Sequence, residues 1–240
     1  MSPRKRTSKS KDEGKDKIAE KRTSSKSEDK PTKKTASMAG LDMKLMNMPY
    51  EDIKSKLVEL IKEKSVFEQD MILPSGRITS EHLDLKESIL SSEGAFLASM
   101  AILYHLHDDV QAIGGSFELA YSIPVSCLQL AYLTGRQLDS FFARGEDGAR
   151  RFGISKHVEG SLRRGMKVCI VQDVVTDGTA VIDVIRRIQD EAQAEIVQVI
   201  SLVDREDGAD LRFESQGIEY TPIIKMSEVT KIEKPSYSRR

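Results

Sequence analysis

The sequence predicts an α/β protein with a mostly parallel central sheet flanked by helices, and three observations carry that expectation. Residues 167–179, KVCIVQDVVTDGT, contain the nearly unbroken apolar run Val168, Cys169, Ile170, Val171, as in strands covered on both faces of a parallel sheet. A short loop with one glycine leads into AVIDVIRRIQDEAQ, where Val181, Val184, Ile185, Ile188 and Ala192 recur at helical spacing. A second apolar run at 196–203 then completes a strand–loop–helix–strand unit, whose crossover should be right-handed. The same alternation of strands and helices along the rest of the chain is the third observation.

In chain order, the first 42 residues form a basic tail. Residues 1–40 hold 13 Lys/Arg against 6 Asp/Glu, so a chain of net charge −1 carries about −8 on the remainder. With almost no large apolar side chains, the tail cannot offset its ordering entropy and is expected to be disordered. Its charge allows weak contact with nucleic acid, but it offers no aromatic residue to stack on bases. Residues 49–67 read as an amphipathic helix with Ile53, Leu57, Leu60 and Ile61 on one face. Pro74-Ser75-Gly76 marks a turn between two short extended pieces. A buried helix is expected over 95–107 and a strand over 110–113. The strand is expected to end at Gly114-Gly115, with amide groups open to an anion. A helix over 124–133 and a strand over 138–143 follow. Residues 144–160 are charged, glycine-bearing and aperiodic, which fits either a disordered stretch or a functional lid. One more strand is expected over 218–224, and 233–240 is a polar tail. The folded part is therefore one domain over 43–232, with a small N-terminal hood at about 43–90.

Composition excludes several classes. Cys127 and Cys169 both lie in apolar segments, so buried free thiols are expected rather than a disulfide. His82, His105, His107 and His157 are scattered, without metal-ligand spacing. The longest apolar stretch, 95–104, is too short to span a bilayer, and the N-terminus has no secretory apolar segment. A cytoplasmic protein with no membrane partner is the expectation.

The loop after the central strand carries the chemistry. Val175, Thr176, Asp177, Gly178 and Thr179 sit where the N–H groups of a new helix have no intrahelical partner, and such a terminus suits a phosphate. Gly178 permits close approach, and two threonine hydroxyls add donors. Asp173, at the carboxyl end of the strand, stands where open α/β sheets place ligand-contacting groups. Taken alone, the same residues fit an N-capped helix with no ligand equally well.

The wider pattern removes that ambiguity. IVQDVVTDGTA is similar to the phosphoribosyl diphosphate (PRPP) motif of type I phosphoribosyltransferases, in which a strand ends in two acids and a Thr-Gly loop opens a helix. LPSGRITSEHLDL, AIGGSFELAYSIP, LDSFFARGEDGARRFG, VEG and LVDREDG resemble, in order and register, segments of one branch, the orotate phosphoribosyltransferases. They correspond to its N-terminal substrate segment, its pyrophosphate loop, its basic flexible loop, the close of that loop and the segment after the next strand. The resemblance spans residues from about 50 to about 225 and implies the type I phosphoribosyltransferase fold.

The resemblance also implies a reaction. Orotate would displace pyrophosphate at C1 of PRPP, giving orotidine 5′-monophosphate in pyrimidine synthesis. PRPP would be held by Gln172, Asp173, Val174, Val175, Thr176, Asp177, Gly178, Thr179 and Ala180, with Asp173 on the ribose hydroxyls. Thr176 and Arg205 would hold orotate, a guanidinium being well shaped for its carboxylate. Mg²⁺ would arrive on PRPP rather than be held directly by protein side chains. Arg144, Arg150 and Arg151 would supply the lid's charge, in the family often across a homodimer. Three positions depart from the family pattern. Gln172 replaces the first acid. Asp177 adds a carboxylate to the phosphate cradle, where it is expected to point outward. The lid reads Arg144-Gly145-Glu146-Asp147-Gly148-Ala149-Arg150-Arg151, without the family's two lysines and histidine, although Lys156 and His157 follow it. A phosphoribosyltransferase fold that binds PRPP or a nucleotide as a regulator is the alternative these departures raise.

Overall fold

In the computed structural model, residues 43–72, 78–116, 123–144 and 157–230 are described. The basic tail, the Pro74-Ser75-Gly76 turn, residues 117–122 of the pyrophosphate-loop segment and the lid residues 145–156 lie outside them. Two short elements, α1 (Met43–Met46) and α2 (Tyr50–Lys64), come first. The buried face of α2 is Ile53, Leu57, Leu60 and Ile61, the four residues that the helical spacing selects. Burying each contributes roughly 1.5–3 kcal/mol. An antiparallel ribbon follows, β1 (Val66–Ile72) and β2 (Ile78–Leu83), with Val66 opposite Leu83. It leads into α3 (Lys86–Ile89) and α4 (Ser92–His105). Helix α4 starts earlier than its apolar run because the Ser91 hydroxyl caps it, accepting from the Gly94 N–H at 3.0 Å.

The main sheet has six strands in the order β5-β4-β3-β6-β7-β8. These are β3 (Ala112–Ser116), β4 (Asp139–Ala143), β5 (Val158–Gly160), β6 (Lys167–Val175), β7 (Glu195–Asp204) and β8 (Tyr220–Lys225). All neighbours pair in parallel except β4 with β5. The helices that connect them are α5 (Ile123–Leu133), α6 (Thr179–Ala192) and α7 (Ala209–Ser215), and α8 (Met226–Val229) closes the described part. One core packs α2, α4 and α5 against the sheet, and the other packs α6 and α7 against its opposite face. The expected α/β architecture is present, with a layer of helices on each face.

Three local expectations change. Strand β3 lies further along than expected and runs through both glycines, with Gly114 paired to Phe141 and Ile170 and Gly115 paired to Phe142, so they sit in the ladder rather than in an open anion loop. The reason is close packing. A Cβ on Gly114 would lie 2.1 Å from the Phe141 carbonyl oxygen, and one on Gly115 would lie 2.4 Å from that of Val171. The lid's downstream end is not structureless, since Val158–Gly160 pairs antiparallel with β4. Helix α7, which the sequence reading passed over, packs Phe213 fully into the core.

Both cysteines are free and buried. Burial pushes the Cys127 thiol up to about 12 and also raises Cys169, so neither is a nucleophile at neutral pH. Among the described residues no helix is long and apolar enough to cross a membrane.

Candidate active site

The carboxyl ends of the five parallel strands share one edge of the sheet. From β3 the chain proceeds to β4 on one side, while β6 lies on the other. That reversal makes the β3–β6 boundary the switch point, where open α/β sheets bind ligands. The predicted PRPP segment leaves the sheet there, at the end of β6.

Strand alternation sorts the side chains of β6 between the two faces of the sheet. Cys169 and Val171 pack with the α2–α4–α5 core, and Ile170 packs with the α6 core. The pattern breaks at the strand's end, where Val174 packs with the first core and Val175 with the second, and a Cβ on Gly115 would lie 3.4 Å from the Gln172 Nε2. Gln172 and Asp173 are both buried. Burial lifts the Asp173 carboxyl above the usual carboxylate range. The Val174 N–H, 2.6 Å from Oδ1, and the Lys86 ammonium act in the opposite direction, while Asp84 adds to the rise. The segment at the start of α3 thus supplies charges around Asp173 that local sequence patterns did not single out.

The loop itself is tightly made. Gly178 has φ +80°, and a Cβ there would meet the Phe213 ring at 3.0 Å, so both conformation and space call for glycine. Asp177 does not point outward as expected. Its Oδ1 accepts from the Thr179 N–H at 3.0 Å and its Oδ2 from the Thr179 hydroxyl at 2.7 Å. Those two bonds, hydroxyl first, hold the carboxyl below its usual range. The physical reason for the turn-back is that an aspartate two residues before an unpaired helix amide reaches it with an Asx turn. From α7, Arg212 donates through Nε to the Asp177 carbonyl oxygen at 2.6 Å and through a terminal nitrogen to Oδ2 at 3.1 Å. Sequence reasoning missed Arg212 because the pairing spans 35 positions and its helix has only seven residues. Thr176, Thr179 and Ala180 are exposed at the mouth, Val174 is half-buried, and Val175 is buried beneath them.

Arg205 stands beside this loop. Its N–H donates to the Val175 carbonyl oxygen at 2.8 Å, which ties the end of β7 to the end of β6. The next residue is held in a left-handed turn: Glu206 has φ +58°, and its N–H donates to Asp204 Oδ1 at 2.8 Å. A neighbouring cleft of about 500 Å³ between α7 and β8 is lined by Asp204, Glu206, Asp210 and Glu214 together with Lys225. Its carboxylates make it a poor seat for a phosphorylated ligand.

The lid's stem is anchored on both sides. Arg144 donates its N–H to the His157 carbonyl oxygen at 2.8 Å. Its guanidinium lies 3.4 Å from Glu159 and 5.2 Å from the centre of the Phe142 ring. The Glu191 carboxylate, near the end of α6, accepts from the N–H groups of His157 and Val158 at 3.0–3.1 Å. The structure thus brings together Gln172 through Ala180 with Arg205 and places Arg144 at the lid's root. Arg150 and Arg151 lie outside the described residues.

No family model matches the chain. Individual relatives do. An orotate phosphoribosyltransferase of Bradyrhizobium diazoefficiens is 31% identical over 182 residues, 74% of this chain and 96% of the relative. One of Streptomyces avermitilis is 32% identical over 172 residues, 71% of this chain and 93% of the relative. Among solved structures, the orotate phosphoribosyltransferase of Mycobacterium tuberculosis H37Rv in complex with Fe(III) dicitrate superposes with a TM-score of 0.64 at 27% identity, covering 74% of this chain and 98% of that one. The Mycobacterium protein solved in complex with PRPP gives a TM-score of 0.60 at 25% identity, with the same coverage. With sequence relatives matched over nearly their whole length, the chain belongs to the orotate phosphoribosyltransferase family.

Proposed function

We propose that this chain transfers ribose 5-phosphate from PRPP to orotate, giving orotidine 5′-monophosphate and pyrophosphate in pyrimidine biosynthesis. The observation that carries the reading is the Gly178 loop at the β3–β6 switch point, with Asp173 on one side and Arg205 on the other. In this mechanism a ring nitrogen of orotate forms the new bond to C1 of the ribose and gives up its proton to the departing pyrophosphate or to solvent. The C1–oxygen bond breaks with its electron pair leaving on pyrophosphate. Positive charge builds on the sugar between the two events, so positioning and charge stabilisation supply the catalysis.

Asp173 holds the ribose hydroxyls and faces the developing charge at close range. The amides of 176–180 and the Thr179 hydroxyl hold the 5′-phosphate. Arg205 and Thr176 orient orotate, Arg205 through its carboxylate. Arg144 at the stem and Arg150 and Arg151 beyond it draw the lid over the diphosphate and exclude water. Gln172 keeps a hydrogen-bonding group where a second carboxylate would repel the diphosphate, at the cost of one charge for the sugar. Mg²⁺ fits this donor set through Asp173, a hard oxygen donor that would meet it by way of water, and would neutralise charge on the departing diphosphate. The reading extends to a cytoplasmic homodimer whose basic tail makes at most weak contact with nucleic acid. These last points rest on the sequence.

Purified chain with PRPP, Mg²⁺ and orotate should lose orotate absorbance and release pyrophosphate stoichiometrically. PRPP binding without turnover would replace the enzyme with a ligand-binding regulator.

A further inference from the structure

We infer that Asp177 is a built-in competitor for the 5′-phosphate and that Arg212 is the positioning residue that draws it aside. The inference rests on reading residues 176–180 as the phosphate cradle and assigns to that cradle a control that its loop pattern does not contain. A phosphate at a helix start takes a backbone N–H, a neighbouring hydroxyl and nearby positive charge. The Asp177 carboxylate has all three. Oδ1 takes the Thr179 N–H at 3.0 Å, and Oδ2 takes the Thr179 hydroxyl at 2.7 Å and an Arg212 terminal nitrogen at 3.1 Å. Two anions cannot share Thr179, because at contact distance their repulsion outweighs what the shared donors return. Phosphate binding therefore requires the carboxylate to leave Thr179.

Arg212 provides the place to go. Its Nε holds the Asp177 carbonyl oxygen at 2.6 Å, so the loop backbone stays anchored while the side chain rotates toward the guanidinium. The adjoining Phe213 ring fills the space against Gly178 and keeps α7 in register with the loop. Paired with Arg212 alone, the carboxylate is neutralised and the Thr179 donors are free for ligand. Without Arg212, the same carboxylate would face the phosphate unneutralised.

The test is a double-mutant cycle on the full chain, with dissociation constants measured for Mg²⁺–PRPP and for inorganic phosphate. Asp177→Asn removes the charge while keeping an oxygen for the Thr179 amide. It should tighten both ligands by about fivefold or more. Asp177→Ala should tighten them similarly while lowering Tm, since the turn is lost. Arg212→Gln should weaken both by a similar factor, and in the Asp177→Asn background it should change neither. Unchanged or weaker binding in Asp177→Asn overturns the inference. So does an Arg212→Gln effect of equal size in both backgrounds, which would mean that the arginine acts on ligand or scaffold directly. If Arg212→Gln does not fold, the two Asp177 variants decide alone. If the unaltered chain binds neither ligand while remaining folded, the cradle reading itself falls and takes the inference with it. PRPP binding by the unaltered chain without the Asp177 response sinks the inference only.

Discussion

The loop after β6 and the loop after β4 leave the same edge of the sheet and are held in different ways. The first is short and is fixed by contacts at every step: a left-handed Gly178, an Asx turn onto Thr179, and the side chains of Arg212 and Phe213 behind it. The second is long, and its described residues are held at its root by the Arg144–Glu159 pair, the β4–β5 ladder and Glu191 on the His157 and Val158 amides. A site that receives a phosphate at a defined distance gains from a rigid cradle. A site that must admit and release a diphosphate gains from a lid anchored firmly at its base. The two share one helix, since α6 starts at the cradle and presents Glu191 to the lid near its end.

Substitutions on the two sides should separate accordingly. Asp173→Asn is expected to have the largest effect, lowering kcat/KM by roughly 10²–10³-fold, the range seen when one electrostatic catalytic group is lost. The same change should raise Tm at neutral pH. Burial raises the Asp173 carboxyl, so its stability contribution is full below the unfolded-state value and is lost as pH rises through the folded one. The Tm gain of the asparagine variant over the unaltered chain should therefore shrink toward pH 4. Melting curves at two pH values beside initial rates check both halves. Arg205→Ala is expected to raise the KM for orotate about 10–100-fold, the value of a charge-assisted pair, with a smaller effect on that for PRPP. Gly178→Ala should cost about 1–2 kcal/mol for the left-handed backbone, read in denaturant melts. PRPP affinity should fall with it as Phe213 is displaced. Glu191→Ala is the mildest. It should raise the KM for PRPP a fewfold and speed proteolytic cutting within 145–156, while leaving the KM for orotate unchanged. Equal effects on both substrates would mean that the lid stem and the cradle are not distinct devices.

Much of this was legible in the sequence because the signals are local. The apolar run of β6, the 3.6-residue periodicity of α6 and the Gly178 loop occupy one stretch, and each follows from nearest-neighbour chemistry. The buried face of α2 could be read from spacing alone. What escaped was set by partners distant in the chain. Gly114 and Gly115 look like an open anion loop until Phe141 and Val171 crowd them from both sides. Asp177 looks like a solvated loop acid until a hydroxyl two residues on and a guanidinium from α7 meet it. Arg212 and Glu191 are ordinary helix-surface charges in sequence and acquire roles only through what the fold brings to them. Strand β5, three residues long, has no period to detect.

The most direct measurement is the orotate absorbance of a mixture of purified chain, PRPP, Mg²⁺ and orotate, followed with release of pyrophosphate. The account predicts a steady decrease that depends on PRPP, on Mg²⁺ and on Asp173, with one pyrophosphate released per orotate consumed. A folded chain that binds PRPP yet leaves orotate unconsumed would contradict it.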